Sequence, residues 1–289
     1  MFIRATHLTR YTYSQPVSFA PHALYLRPRE TARQRLHQFN LTLTPEAKLV
    51  STGDPSGNAL DWAYYPPTTV SELLEIRTEF LVETLDSNPF DFFLAPTASA
   101  FPFDYSPNER FALAPALTPP SPASVLLLQT WLAQYLPCTP QDTLTLLTAL
   151  NTGVHSSLRY NRREEPVIQT AATTLTLGSG SCRDYALVFI ELCRHLGLAA
   201  RFVSGYLYEA PPADGSPALA PAMHAWAEVF LPGAGWRGLD PTRGIFCDDA
   251  FIPVAHAALA ETVNPVQGGF YATGAVTSRL HNEITLVKL

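Results

Sequence analysis

Seven prolines crowd residues 95–124: Pro96, Pro102, Pro107, Pro115, Pro119, Pro120 and Pro122. Proline has no backbone N–H and a fixed φ, so this density blocks regular helix and central strand. The chain therefore divides near Pro119, into residues 1–118 (a β-rich domain with its connector) and 119–289. A length of 289 residues suits one large domain or two smaller ones. The proline segment also holds Phe101, Phe103, Tyr105 and Phe111. Disordered linkers are poor in aromatics, so a connector packed against a domain is expected.

Before the connector the pattern has period two. Phe39, Leu41 and Leu43 alternate with polar residues, and so do Leu74, Ile76, Thr78, Phe80 and Val82. This is the patterning of half-buried antiparallel strands. Residues 53–58, Gly-Asp-Pro-Ser-Gly-Asn, form a turn between such runs. Short strands at this spacing predict a sandwich. After the connector the period lengthens. Val125, Leu128, Leu132 and Leu136 mark a helix over 123–136, and Thr139-Pro140 opens a second one through about residue 157. Strands return at 201–208, 223–231, 236–242, 250–257 and 276–288, with a loop rich in Pro, Ala and Gly at 211–221. The fold class predicted is α+β.

Between the helices and the strands lies Gly178-Ser-Gly-Ser-Cys182-Arg-Asp184, running into Tyr-Ala-Leu-Val-Phe-Ile-Glu-Leu-Cys-Arg-His-Leu-Gly197. Ser181 suits an N-cap, and Asp184 three residues later resembles the second half of a capping box. Ala186, Phe189, Ile190 and Cys193 form one apolar stripe, and Gly197 is a natural stop. Cys182 then sits at the first helical position. There the unpaired N–H groups and the helix dipole favour thiolate, the nucleophilic form. A small apolar residue under a turn is the plainer reading of the same cysteine.

His224 begins one strand of the hairpin across residues 232–235, and Asp240 ends the other. A four-residue loop would set Asp240 opposite Ala227, three residues short of His224; a tighter turn or a bulge would bring them closer. A thiol, an imidazole to take its proton and return it to a leaving amine, and a carboxylate to orient the imidazole make a complete nucleophilic set. Taken singly, His224 also reads as a hydrogen-bonded strand-end histidine and Asp240 as an Asp-Pro turn opener. Spacing alone does not separate these readings.

Three blocks add to it. Gly-Ser-Gly-Ser-Cys182-Arg-Asp-Tyr-Ala, then Ala-Arg201-Phe-Val-Ser-Gly-Tyr206-Leu, then His224-Ala-Trp-Ala-Glu-Val-Phe-Leu-Pro-Gly-Ala-Gly-Trp236-Arg-Gly-Leu-Asp240-Pro-Thr resemble the core of the bacterial transglutaminase-like superfamily. Tyr11-Thr-Tyr-Ser-Gln-Pro-Val and Leu26-Arg-Pro-Arg-Glu resemble the β-rich N-terminal region that accompanies it, and Asn264-Pro-Val-Gln-Gly-Gly-Phe its tail. The resemblance implies an N-terminal antiparallel β-sandwich followed by a papain-like core, in which the helix bearing the cysteine packs on an antiparallel sheet. It implies Cys182 as nucleophile, His224 as base and Asp240 as orienting carboxylate. Asp184 is read as a helix-start carboxylate that fixes the turn. The chain departs from the pattern at Arg243, where Asn is usual. It also lacks the glutamine that papain-type enzymes place a few residues before the cysteine: Gln169 is thirteen residues upstream. The second oxyanion donor is therefore unassigned, with Tyr206 and Trp226 as candidates. The implied reaction is amide chemistry through a thioester, on a peptide or protein substrate. Hydrolysis is the first expectation; amine transfer to glutamine and a non-catalytic binding module are the alternatives.

Other classes find little support. Net charge is −6 without a long basic run, which argues against nucleic acid and anionic membrane as partners. The start of the sequence lacks the apolar core of a signal peptide, and a cytoplasmic chain with reduced cysteines is expected. No cofactor is expected. Cys193 and His195 are a weak metal pair, Asp248-Asp249 is too little for calcium, and His7, His22 and His37 read as surface or packing residues. Gly178 and Gly180 form no dinucleotide fingerprint.

Overall fold

The computed structural model describes every residue except 86, 140, 164–166 and 212–220. In chain order it contains β1 (Phe2–Phe19), β2 (His22–Leu24), β3 (Gln34–Thr44), β4 (Lys48–Gly53), β5 (Ala59–Tyr64) and β6 (Val70–Thr84). Then come α1 (Pro107–Ala112), α2 (Pro122–Tyr135), α3 (Thr143–Ser157), β7 (Arg159–Tyr160), α4 (Ala171–Leu177), β8 (Ser179–Gly180) and α5 (Cys182–His195). The chain ends with β9 (Ala200–Leu207), β10 (Met223–Leu231), β11 (Gly235–Asp240), β12 (Ile245–Phe246), β13 (Phe251–Ala257), β14 (Val266–Gln267), β15 (Phe270–Tyr271) and β16 (Ser278–Lys288).

The N-terminal strands form two antiparallel sheets. One runs β15-β1-β6-β3 with β16 also paired to β1, and the other runs β14-β2-β5-β4. Tyr13, Val17, Phe19, Leu24, Leu26, Leu43, Ala63, Leu74 and Ile76 are buried together in one cluster of this sandwich. The period-two reading of β6 sets its inward face: Leu74, Ile76, Thr78, Phe80 and Val82 are all at most 2% exposed. Residues 278–288 come last in the sequence, after β9–β13, yet they pair with β1 along Ile3–Tyr13. The division at Pro119 thus cuts the sequence but not the sheet.

The connector contains helix after all. Pro96 and Pro107 begin a short 3-10 helix and α1, and Pro122 begins α2. A helix tolerates proline in its first turn, where the N–H has no partner anyway. The connector is anchored by Tyr105, whose hydroxyl donates to the Phe230 carbonyl at 3.0 Å and accepts from the Ala199 N–H at 2.9 Å. The helix expected to open at Pro140 starts later, at Thr143. Asp142 is its cap, with Oδ1 accepting from the Thr145 N–H at 2.7 Å.

The second half is built on the sheet β12-β11-β10-β9-β13. α5 packs on β9 and β10, with α2, α3 and α4 around it. Burial on α5 is therefore wider than one stripe. Besides Ala186, Phe189, Ile190 and Cys193, the residues Tyr185, Val188 and Leu192 are at most 1% exposed. Gly197 ends it with φ +80°, a left-handed stop. A single buried cluster runs from Ile3, Ala5, Phe80 and Val82 of the sandwich through to α5 and β10. The sandwich and the helical half share a core.

Candidate active site

The first turn of α5 is built around Asp184, which is fully buried. Its Oδ2 accepts from the Ser181 N–H at 2.7 Å, the Ser181 hydroxyl at 2.8 Å and Arg163 Nη1 at 2.8 Å. Its Oδ1 accepts from the Gln169 N–H at 2.7 Å. A Cβ on Gly180 would stand 2.7 Å from the Asp184 Cβ, so only glycine lets the carboxylate fold back under the turn. Gly178 closes α4 in the left-handed region at φ +61°. These contacts fix the strand-turn-helix that carries Cys182 at the first helical position, partly exposed. The helix N–H groups there have no partner within the helix.

The hairpin supplies the other two residues. Leu231 already pairs with Gly235, so the turn is three residues long rather than four. Ala227 faces Leu239, which puts Asp240 level with Trp226, two residues from His224 and on the same face. His224 Nε2 and Asp240 Oδ2 are 2.8 Å apart. The other Asp240 oxygen accepts from the Thr242 N–H at 2.9 Å and its hydroxyl at 2.6 Å, and the carboxylate is fully buried. Cys182 is the other group close enough to act on the His224 ring. With Nε2 on Asp240, Nδ1 is the nitrogen left for sulfur. Burial works against charge on His224, but the hydrogen bonds and negative charges of Asp240 and Cys182 outweigh it and raise the imidazole to about 10. The surroundings thus favour the protonated ring, held between a buried carboxylate and the sulfur of Cys182.

Trp226 is 2% exposed, and its indole stacks on the His224 ring at 6.2 Å and 27°. A Cβ on Gly205 would come within 2.6 Å of this indole and 2.2 Å of the Ile252 carbonyl oxygen, so glycine in β9 makes room for the ring. Trp226 walls the imidazole. Tyr206 is placed elsewhere. It is wholly buried, and its hydroxyl lies 2.9 Å from His7 Nδ1 of β1. Burial pushes its phenol pKa up. Tyr206 therefore ties the sheet to the sandwich, and its hydroxyl is engaged there and not at the sulfur. Gln169 is likewise engaged: its N–H holds Asp184 and its Oε1 accepts from Thr174 at 3.1 Å.

The spacing of motifs gives no sign of Tyr160. This residue ends β7 and pairs in parallel with Gly180, two residues before Cys182. It is half exposed, and its phenol pKa is raised by burial and by the neighbouring charges of Cys182 and Asp240. Two-residue parallel strands leave no periodicity to read. Arg243 turns toward Glu209, with which it forms an ion pair, and its Nε stays 3.9 Å from Asp240 Oδ2. Among the described residues, no group of three or more His, Cys, Asp or Glu side chains could hold a metal ion. No described helix is long and apolar enough to cross a membrane.

Comparison with known proteins agrees with this architecture. Residues 131–241 match the model of the transglutaminase-like superfamily, and residues 3–83 match that of the bacterial transglutaminase-like N-terminal region. An uncharacterized protein of Mycobacterium tuberculosis, Rv2569c, is 28% identical over 290 residues, covering 93% of this chain and 87% of its own. One of Mycobacterium leprae is 25% identical over 303 residues, covering 98% of both. The crystal structure of a candidate cysteine protease from Cytophaga hutchinsonii superposes with TM-score 0.72 at 19% identity, covering 100% of this chain and 91% of that one. That fold is a papain-like core behind a β-sandwich. The chain belongs to the transglutaminase-like superfamily, with the bacterial N-terminal region at its front.

Proposed function

We propose that this protein is a cysteine amidase or peptidase that hydrolyses a peptide or isopeptide bond through a thioester. The observation that carries the reading is His224, held between the buried Asp240 and the sulfur of Cys182 at the start of α5. An imidazolium beside the thiol stabilises thiolate. The thiolate attacks the amide carbonyl, and the carbon–nitrogen bond breaks as His224 gives its proton to the leaving amine. Water then enters, His224 takes one of its protons, and the thioester opens to a carboxylic acid and the regenerated thiolate beside the protonated His224. Asp240 keeps the ring oriented and stabilises its charged form. The oxyanion is met by N–H groups of the first turn of α5, with the Tyr160 hydroxyl as the second donor. Removing one such donor costs about 10²–10³ in kcat in a comparable site, so Tyr160→Phe is expected to lower kcat with little change in KM.

The test uses 4-nitrophenyl acetate with mass spectrometry, then casein with dansylcadaverine. The reading expects a burst, an acetyl thioester on Cys182, and new casein termini. It expects none of these in Cys182→Ala. Absence of burst and acylation in the wild type would leave a binding module. Dansylcadaverine incorporated without new termini would make the acceptor an amine, and the reaction transfer.

A further inference from the structure

A cavity lies against Trp226. It has a volume of about 290 Å³ and is lined by Arg29, Gln34, Arg201, Trp226, Trp236 and Phe251, among others; Cys182, His224 and Asp240 do not line it. This is at the small end of ligand cavities, roughly 300–1,000 Å³. Its walls are aromatic. Trp226 and Phe251 meet edge to face at 5.3 Å, and the Arg201 guanidinium lies 3.9 Å over the Trp236 ring.

Arg29, Arg33 and Arg201 line it together with Glu228, Asp248 and Asp249, and these charges differ in how they are paired. Glu228 is taken by Arg201, whose Nε is 2.7 Å from Oε2. The acidic groups at the other end are also engaged. Asp249 faces the N-terminal amine at 3.6 Å, and Asp248 accepts from the Ala250 N–H at 2.9 Å. Among the described residues, no carboxylate comes within ion-pair distance of Arg29; Glu228 and Asp54 act on it from further away. The field of Arg29 and Arg201 reaches the buried His256 beside them, which burial first and these two cations next push down to about 2.

The position of Arg29 is built. Its N–H donates to the Pro253 carbonyl at 3.1 Å. Gln34 Nε2 donates to the Arg29 and Pro253 carbonyls at 2.7 and 3.0 Å. Gln34 is 2% exposed, and its Oε1 has no donor. A buried amide oxygen normally has a partner. Arg29 closes the Leu26-Arg-Pro-Arg29-Glu motif, which the Cys182 site leaves unused.

We propose that this cavity binds a small organic carboxylate, its acid group on Arg29 and its flat or apolar body against Trp226, Trp236 and Phe251. Trp226 is common to both sites, so an occupant rests on the ring that stacks on His224. The binding does not depend on any reaction at Cys182.

The test is calorimetry on the full-length protein with 4-hydroxybenzoate and hexanoate, the neutral 4-hydroxybenzamide, and inorganic phosphate as a bare anion. Cys247 lines the same cavity, so its alkylation rate in the wild type reports occupancy without any substitution. Saturable binding of an acid, at least tenfold tighter than the amide and phosphate, is expected to slow Cys247 alkylation and to weaken at least tenfold in Arg29→Gln. The proposal is overturned if neither acid saturates below 10 mM, if the amide or phosphate binds as well, or if an acid binds without protecting Cys247. Should Arg29→Gln not fold, the amide comparison and the Cys247 protection in the wild type decide.

Discussion

Asp240→Asn removes the charge beside His224 while keeping the shape and an acceptor for the two Thr242 donors. The imidazole stands at about 10 against an ordinary 6.5. At 1.36 kcal/mol per pH unit, that difference is on the order of 5 kcal/mol in favour of the protonated native state. Asp240 is the first of the groups that raise it against burial, and a cost on the order of 2–3 kcal/mol is taken for loss of its charge. The sign follows from linkage. The native state binds the proton more tightly than the unfolded chain, so the contribution is complete below the unfolded pKa of 6.5. It is lost as pH rises through the folded value of about 10. Urea unfolding of both proteins at pH 6 and pH 10.5 reads this directly. The substitution should cost about 2–3 kcal/mol at pH 6, and the gap should narrow by a similar amount at pH 10.5. A gap below about 0.5 kcal/mol at pH 6, or one just as wide at pH 10.5, would refute the reasoning.

Asp184→Ala strips a buried acceptor from Arg163 and from the N–H groups of Ser181 and Gln169. A loss of about 3–5 kcal/mol is expected in the same unfolding assay, because one partner of a buried ion pair is removed. Tyr206→Phe should cost about 1–2 kcal/mol through the contact with His7 and leave the alkylation rate of Cys182 unchanged. A slowed rate at full stability would return Tyr206 to the reacting centre.

The parts of the fold legible in the sequence were those with a strong local period. The alternation of β6 and the capped, apolar α5 needed no distant information. What escaped depends on contacts far apart in the chain. β16 belongs to the first sheet because its partner is β1, and nothing local in 278–288 says so. Proline breaks a helix in its interior, yet several of those in 95–124 sit in first helical turns, where a breaker becomes a starter. At the site, Cys182, His224 and Asp240 could be singled out as candidates only with the family resemblance, and the structure brings them together. Their register could not be read, because one residue of turn length decides whether the two hairpin residues share a face. Tyr206 looked available because it lies in a recognisable block, but its hydroxyl is engaged by a histidine 199 residues earlier. Tyr160 was silent for the converse reason: its place beside Cys182 comes from a parallel bridge of two residues.

The central claim is that His224 activates Cys182, and the rate of iodoacetamide labelling at pH 6, resolved by cysteine, tests it most directly. Cys138 is exposed and serves as the internal reference, while the fully buried Cys193 should stay unlabelled. The account predicts that Cys182 reacts at least tenfold faster than Cys138, and that His224→Ala brings it down to the rate of Cys138. A Cys182 that reacts no faster than Cys138 in the wild type, or just as fast without His224, would contradict it.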